Sequence, residues 1–158
     1  MLTNNILRKI RYSLDLNDKE MLEIFTATGI SPQDIKLYQL LKKENEANFQ
    51  LCSQSLLATF LDGLIIFHRG SLKKPAVAAA EKLCNNDVLR KIRIALKYQE
   101  SDMLEIFKRG DMEIGRSELS SFFRRIGHKH YQECGDQFLR HFFKGLALYY
   151  QENRSAKK

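Results

Sequence analysis

The sequence predicts an all-α protein, a tandem repeat of two similar four-helix units packed into one compact body. Three observations carry that expectation. Apolar residues recur at helical spacing along most of the chain, and no stretch alternates convincingly at period two. Breakers are scarce, 8 Gly and 2 Pro among 158 residues, which permits long helices and argues against a turn-rich β architecture. The chain also repeats itself. LRKIR at 7–11 returns at 89–93, an offset of 82, and the same offset carries MLEIF at 21–25 onto 103–107. It carries Gln50, Cys52, Leu57, Phe60, Gly63 and Leu64 onto Gln132, Cys134, Leu139, Phe142, Gly145 and Leu146. Matches at both ends of each copy point to one supersecondary unit made twice, about 5–70 and 87–152. Between the matched blocks the register reads as slipping by two residues and recovering, with a longer loop after the second helix of copy two.

The elements follow in order. Leu7, Ile10 and Leu14 recur at i, i+3, i+7 behind Thr3-Asn4-Asn5, which reads as a cap for a first helix; copy two has Leu89, Ile92 and Leu96 behind Asn85-Asn86-Asp87. A second helix runs from near Asp18 through MLEIF to Gly29. Ser31-Pro32-Gln33-Asp34 reads as a helix start, with Ser as N-cap, Pro at the first position and an acid in the first turn. This third helix continues to about Lys43, and in copy two it shows the stripe Leu119, Phe122, Phe123 and Ile126. The fourth and longest helix covers about 48–69, with its counterpart at 130–152, and its cysteine, Cys52 or Cys134, reads as buried on an apolar face. These elements divide the chain into a first repeat (1–70), a linker (71–84) and a second repeat (85–158). The join reads Gly70-Ser71-Leu72-Lys73-Lys74-Pro75, and the Ala-rich stretch 76–83 suggests a short added helix. A unit of about 65 residues is marginal alone, so the copies are expected to pack on each other, or on another subunit, through their fourth helices.

Charge and cysteines narrow the setting. Lys and Arg number 26 against 19 Asp and Glu, a net charge of +7, which suits a polyanionic partner. The surplus is uneven: residues 1–80 hold 10 basic and 8 acidic side chains, residues 81–158 hold 16 and 11. Cys52, Cys84 and Cys134 are odd in number and read as reduced thiols of a cytoplasmic protein. The apolar stretch from Leu56 to Phe67 is interrupted by Asp62 and falls short of the roughly 20 residues a bilayer span needs, so no membrane partner is expected. The charged start MLTNNILRKIR lacks the apolar run of a signal peptide.

Candidate sites come from the same residues. Met21 to about Leu41 has the outline of a helix-turn-helix about Gly29, which would present Gln33, Lys36, Gln39 and Lys43 to a groove. Phe25 stands where that motif wants a small residue, and copy two lengthens the turn to Gly110-Asp111-Met112-Glu113-Ile114, so an αα-hairpin is the plainer expectation. The basic candidates are Arg8, Arg11, Arg90 and Arg93 of the LRKIR segments, with Arg116, Arg124, Arg125, Lys129 and Arg140 of copy two. Basic side chains beside Tyr or His suit phosphate contact with some base stacking. For LRKIR the competing reading is an ion pair to the equally recurrent Glu23 and Glu105. His128, His130, Cys134 and His141 are zinc-ligand types, but their spacing matches no closed set and Cys52 has no histidines beside it, so no metal and no cofactor is expected. No nucleophile elbow, P-loop, zinc-protease or dinucleotide motif occurs, and the sequence is read as non-enzymatic with no catalytic residues.

The tandem pattern NxxLRKIRxxLxxxxxxMLEIF, followed each time by a cysteine, resembles the YehS-like bacterial family, a domain-of-unknown-function family of short two-copy proteins. Asn4, Leu7–Arg11 and Met21–Phe25 carry the match in copy one, and Asn86, Leu89–Arg93 and Met103–Phe107 in copy two. The resemblance implies a small cytoplasmic bacterial protein and carries over no activity, substrate or site residue. The leading expectation is a binding protein for nucleic acid through the basic surface of the second repeat. The alternative is a protein-interaction or homodimerising module using Phe67, Tyr149 and Tyr150.

Overall fold

The structure is a computed structural model that describes residues 1–70 and 82–156. The expected linker and its Ala-rich helix lie, from 71 to 81, outside the described residues. Two compact units emerge, Met1–Leu83 and Cys84–Lys158, and every regular element among the described residues is helical. Unit 1 contains α1 (Thr3–Ser13), α2 (Asp18–Thr26), a 3-10 turn (Pro32–Asp34), α3 (Leu37–Leu40) and α4 (Gln54–Arg69). Unit 2 contains α5 (Asn85–Leu96), α6 (Glu100–Arg109), α7 (Arg116–Phe122) and α8 (Asp136–Ala156). No helix among the described residues is long and apolar enough to cross a membrane.

Each unit is organised around one close helix pair, α2 on α4 and α6 on α8. Gly63 and Gly145 set the approach: a Cβ at Gly63 would overlap the Ile24 carbonyl oxygen, and one at Gly145 the Ile106 carbonyl oxygen. With the backbones in contact, Phe25 stacks on Phe60 at 4.7 Å between ring centroids, and Phe107 on Phe142 at 5.5 Å. Leu7, Ile10, Met21 and Phe60, and their counterparts Leu89, Ile92, Met103 and Phe142, are all fully buried. The recurring apolar residues are therefore the two cores. Burying each such side chain contributes about 1.5–3 kcal/mol before the chain's entropy loss is counted.

A polar clamp closes each unit. Asn4 is buried in α1; its amide donates to the carbonyls of Leu40 (2.9 Å) and Gln50 (2.8 Å), and its Oδ1 accepts the Cys52 N–H (2.9 Å). Asn86 repeats the arrangement on Phe122, Gln132 and Cys134, each at 2.9 Å. Asn4 is thus an interior strut and not a cap; Leu2 occupies the N-cap of α1, and no side chain caps there. A buried carbonyl or N–H left unpaired is costly, so one asparagine satisfies three backbone groups where helical bonding runs out. Elsewhere the capping is conventional: Asn17 and Glu20 form a reciprocal box at the start of α2 (2.8 and 3.1 Å), and Asp102 accepts the Gln99 N–H (2.8 Å) before α6.

Four expectations about the elements are corrected. The clamp holds Leu40 and Phe122 at the same offset of 82, and both lie 15 residues beyond the stacked Phe25 and Phe107, so the register does not slip and no residues are inserted in copy two. The third helix does not run from 31 to 43. Ile35 and Leu40 are both buried yet would stand 140° apart on one α-helix, and the chain breaks at Ile35, which is extended (φ −106°, ψ 108°). In copy two the helix stops at Phe122, Gly127 turns the chain at φ 95°, and Ile126 is 74% exposed instead of completing a stripe. The fourth helices begin at Gln54 and Asp136, later than expected. The Cys52 and Cys134 N–H groups are held by the asparagines, so the cysteines lie in the extended segments before α4 and α8 and not on them.

Candidate nucleic-acid interface

Four of the nine basic candidates are engaged within their own units. The Arg8 guanidinium donates to the Lys42 carbonyl (2.8 Å) and to Asn5. Arg11 pairs with Asp18 at 2.5 Å, and Arg90 with Asp87 at 3.2 Å. Arg93 donates to the Tyr98 carbonyl (3.1 Å) and lies over the Phe123 ring at 4.8 Å. The expected pairing with Glu23 and Glu105 is not how these arginines are used; Glu105 instead binds Arg109 within α6 at 3.2 Å. All four are half-buried, and their recurrence is explained largely by packing and cross-element hydrogen bonds.

The copy-two cations are disposed differently. Arg124, Arg125 and Lys129 are exposed on the turns that follow α7, together with His128 and His130. Arg116 and Arg124 line an open depression of about 580 Å³ with Ser117, Ser120, His130 and Gln132. Glu118 contributes an acid to its wall, and Arg116 also reaches Glu100 at 3.6 Å. Between such exposed groups this ion pair is worth little, so Arg116 can exchange it for a phosphate. The depression therefore offers two guanidiniums, the Ser117 and Ser120 hydroxyls and an imidazole to an anion. Arg140 is exposed on α8 and does not line it. The positions of Arg124 and Arg125 are occupied in unit 1 by Lys42 and Lys43, a second basic pair.

The helix-turn-helix outline is not filled by a second helix of useful length. Gln33 lies in the 3-10 turn, Lys36 precedes a single turn of α-helix that contains Gln39, and Lys43 lies beyond it. Tyr38, on the same turn, is 73% exposed.

The remaining polar candidates have plain structural surroundings. Burial pushes the Cys52 and Cys134 thiols up from 9.0 to about 12, the opposite of what a nucleophile or a metal-binding thiolate needs. Cys84 is also raised, by burial and then by its hydrogen bond to Asp87. The His141 Nδ1–H donates to the Gly110 carbonyl (2.6 Å), and His128 Nδ1 accepts the His130 N–H (3.0 Å). Among the described residues no three His, Cys, Asp or Glu side chains gather as a metal site. Tyr149 donates to Asp102 at 2.5 Å, stacks edge-on against Tyr98 and lies beneath Arg109; Tyr150 lies beneath Arg154. Both tyrosines are half-buried, while Phe67 is 37% exposed.

Comparison with known proteins agrees with this duplicated build. A family described as "Protein of unknown function (DUF1456)" matches the chain twice, over residues 3–70 and 85–151. The chain is similar to the uncharacterized protein YehS of Escherichia coli (strain K12), at 37% identity over 148 residues, which span 93% of this chain and 95% of that protein. No solved structure matches the chain.

Proposed function

The chain belongs to the DUF1456 family of proteins of unknown function, and from that premise we propose that it is a non-enzymatic, cytoplasmic bacterial protein that binds nucleic acid through unit 2. The observation that carries this reading is the depression lined by Arg116, Arg124, Ser117, Ser120 and His130, flanked by exposed Arg125 and Lys129. Guanidiniums with hydroxyls are phosphate-contacting groups, and the cationic surplus of residues 81–158 supplies the long-range attraction.

The test is a binding titration against salt. If about 4–6 phosphates are contacted, log K falls with log salt at roughly −0.9 per phosphate on duplex DNA. Replacing Arg124→Ala with Arg125→Ala weakens binding more than Lys36→Ala does and lowers the slope by roughly two. Equal low-salt binding by all three proteins would exclude this surface. A protein-interaction or homodimeric role is the second reading, favoured by the exposure of Phe67 and Leu148 on α4 and α8. Its binding would be nearly indifferent to salt, and a sedimentation profile holding only an 18.5 kDa species at micromolar concentration would exclude the homodimer.

A further inference from the structure

We propose that unit 1 supplies base-stacking tyrosines, Tyr12 and Tyr38, and that the polymer bound is therefore single-stranded. This inference rests on the nucleic-acid reading above and names its substrate class. Tyr12 and Tyr38 are 74% and 73% exposed, whereas the phenylalanines Phe25 and Phe60 of the same unit are fully buried. A chain of neighbours connects the two rings. Tyr12 stands one helical turn beyond Arg8 on α1. Arg8 crosses to the end of α3, where it donates to the Lys42 carbonyl (2.8 Å). The Lys42 ammonium lies 4.4 Å from the Tyr38 ring centroid, and Lys43 follows, exposed. Glu46 turns its carboxylate onto the Lys43 backbone N–H (2.9 Å). Cations alternating with exposed aromatic faces are what a sequence-tolerant single-strand surface uses: the cations follow phosphates and the rings take unpaired bases.

The duplication separates the two ingredients. Arg8, Lys42 and Lys43 have cationic counterparts at Arg90, Arg124 and Arg125, but Tyr12 and Tyr38 correspond to Ile94 and Ser120. A packing role of the repeated unit would call for the rings in both copies. Their presence in one, and in water, matches a contact made once. A base paired inside a duplex has no free face for these rings, so duplex gains only from the cations.

The experiment compares fluorescence anisotropy of labelled oligothymidylate, oligouridylate and a duplex of equal length on the full chain. The native protein is expected to hold one or both single strands more tightly than the duplex. Tyr12→Ala with Tyr38→Ala lowers single-strand affinity about tenfold or more and leaves duplex affinity unchanged. The Tyr12→Phe, Tyr38→Phe variant keeps native affinity, because stacking needs the ring and not the hydroxyl. Intrinsic tyrosine emission, unobscured because the chain has no Trp, is quenched on single-strand binding and less so in the alanine variant. The stacking assignment falls if the alanine variant binds like the native protein, or loses single strand and duplex alike, while Arg124→Ala with Arg125→Ala still weakens binding; the cationic interface then survives it. Binding to none of the three probes overturns both.

Discussion

Asn4 and Asn86 each satisfy three backbone groups from two separate segments. Replacing either with Ala leaves two carbonyls and one N–H without partners in a buried place, a loss of about 3 kcal/mol or more. Asp is no rescue, since a carboxylate has no N–H to offer the two carbonyls. Urea unfolding of Asn4→Ala and Asn86→Ala checks this, and a change below about 1 kcal/mol would refute the clamp. The cysteines beside the clamp give a second test at this scale. Their thiols, held near 12, stay protonated at pH 8 and resist alkylation in the native protein, while Cys84 labels first by mass spectrometry. An unfolded thiol ionises near 9.0. From there to about pH 12 the unfolded chain sheds protons that the folded chain keeps, so these two sites contribute full stability below pH 9 and lose it as pH rises through that window. The sequence made Asn4 look like a cap because Thr3-Asn4-Asn5 precedes a helical stripe; only the fold brings Leu40, Gln50 and Cys52 to it.

Among the elements, the close pairs α2–α4 and α6–α8 depend on the absence of a side chain at one position each. Gly63→Ala and Gly145→Ala force backbone against backbone and are expected to cost about 3 kcal/mol, outweighing the helix propensity gained; thermal unfolding of either variant measures it. The first, second and fourth helices were legible because their apolar residues keep one period and recur at a fixed offset. The third was not. Ile35 and Leu40 are both apolar but need different backbone states to be buried together, and Pro32 suits a tight turn as well as a helix start. Ile126 was counted into a stripe for the same reason: helical spacing is informative only where a helix exists. The late start of α4 and α8 was hidden too, since a hydrogen bond from a distant asparagine leaves no local mark.

At the scale of the whole chain, the repeat was readable because the identities that survive are those that pack: Leu7, Ile10, Met21, Phe25, Phe60 and Gly63 with their counterparts. The surface was less legible. Recurrence drew attention to the LRKIR arginines, which the structure commits to internal contacts, and charge density drew it to unit 2, away from Tyr38 and Lys42. What distinguishes the two units at their surfaces is where copies have diverged, and divergence is silent until exposure is known. One detail of the clamp reaches further. The amide protons of Cys52 and Cys134 lie outside any helix, yet each is buried and shielded by the same kind of partner. Deuterium uptake at these two positions therefore times the opening of each half independently. Matched rates through a denaturant series would mark a single cooperative transition, and divergent rates would show which half yields first.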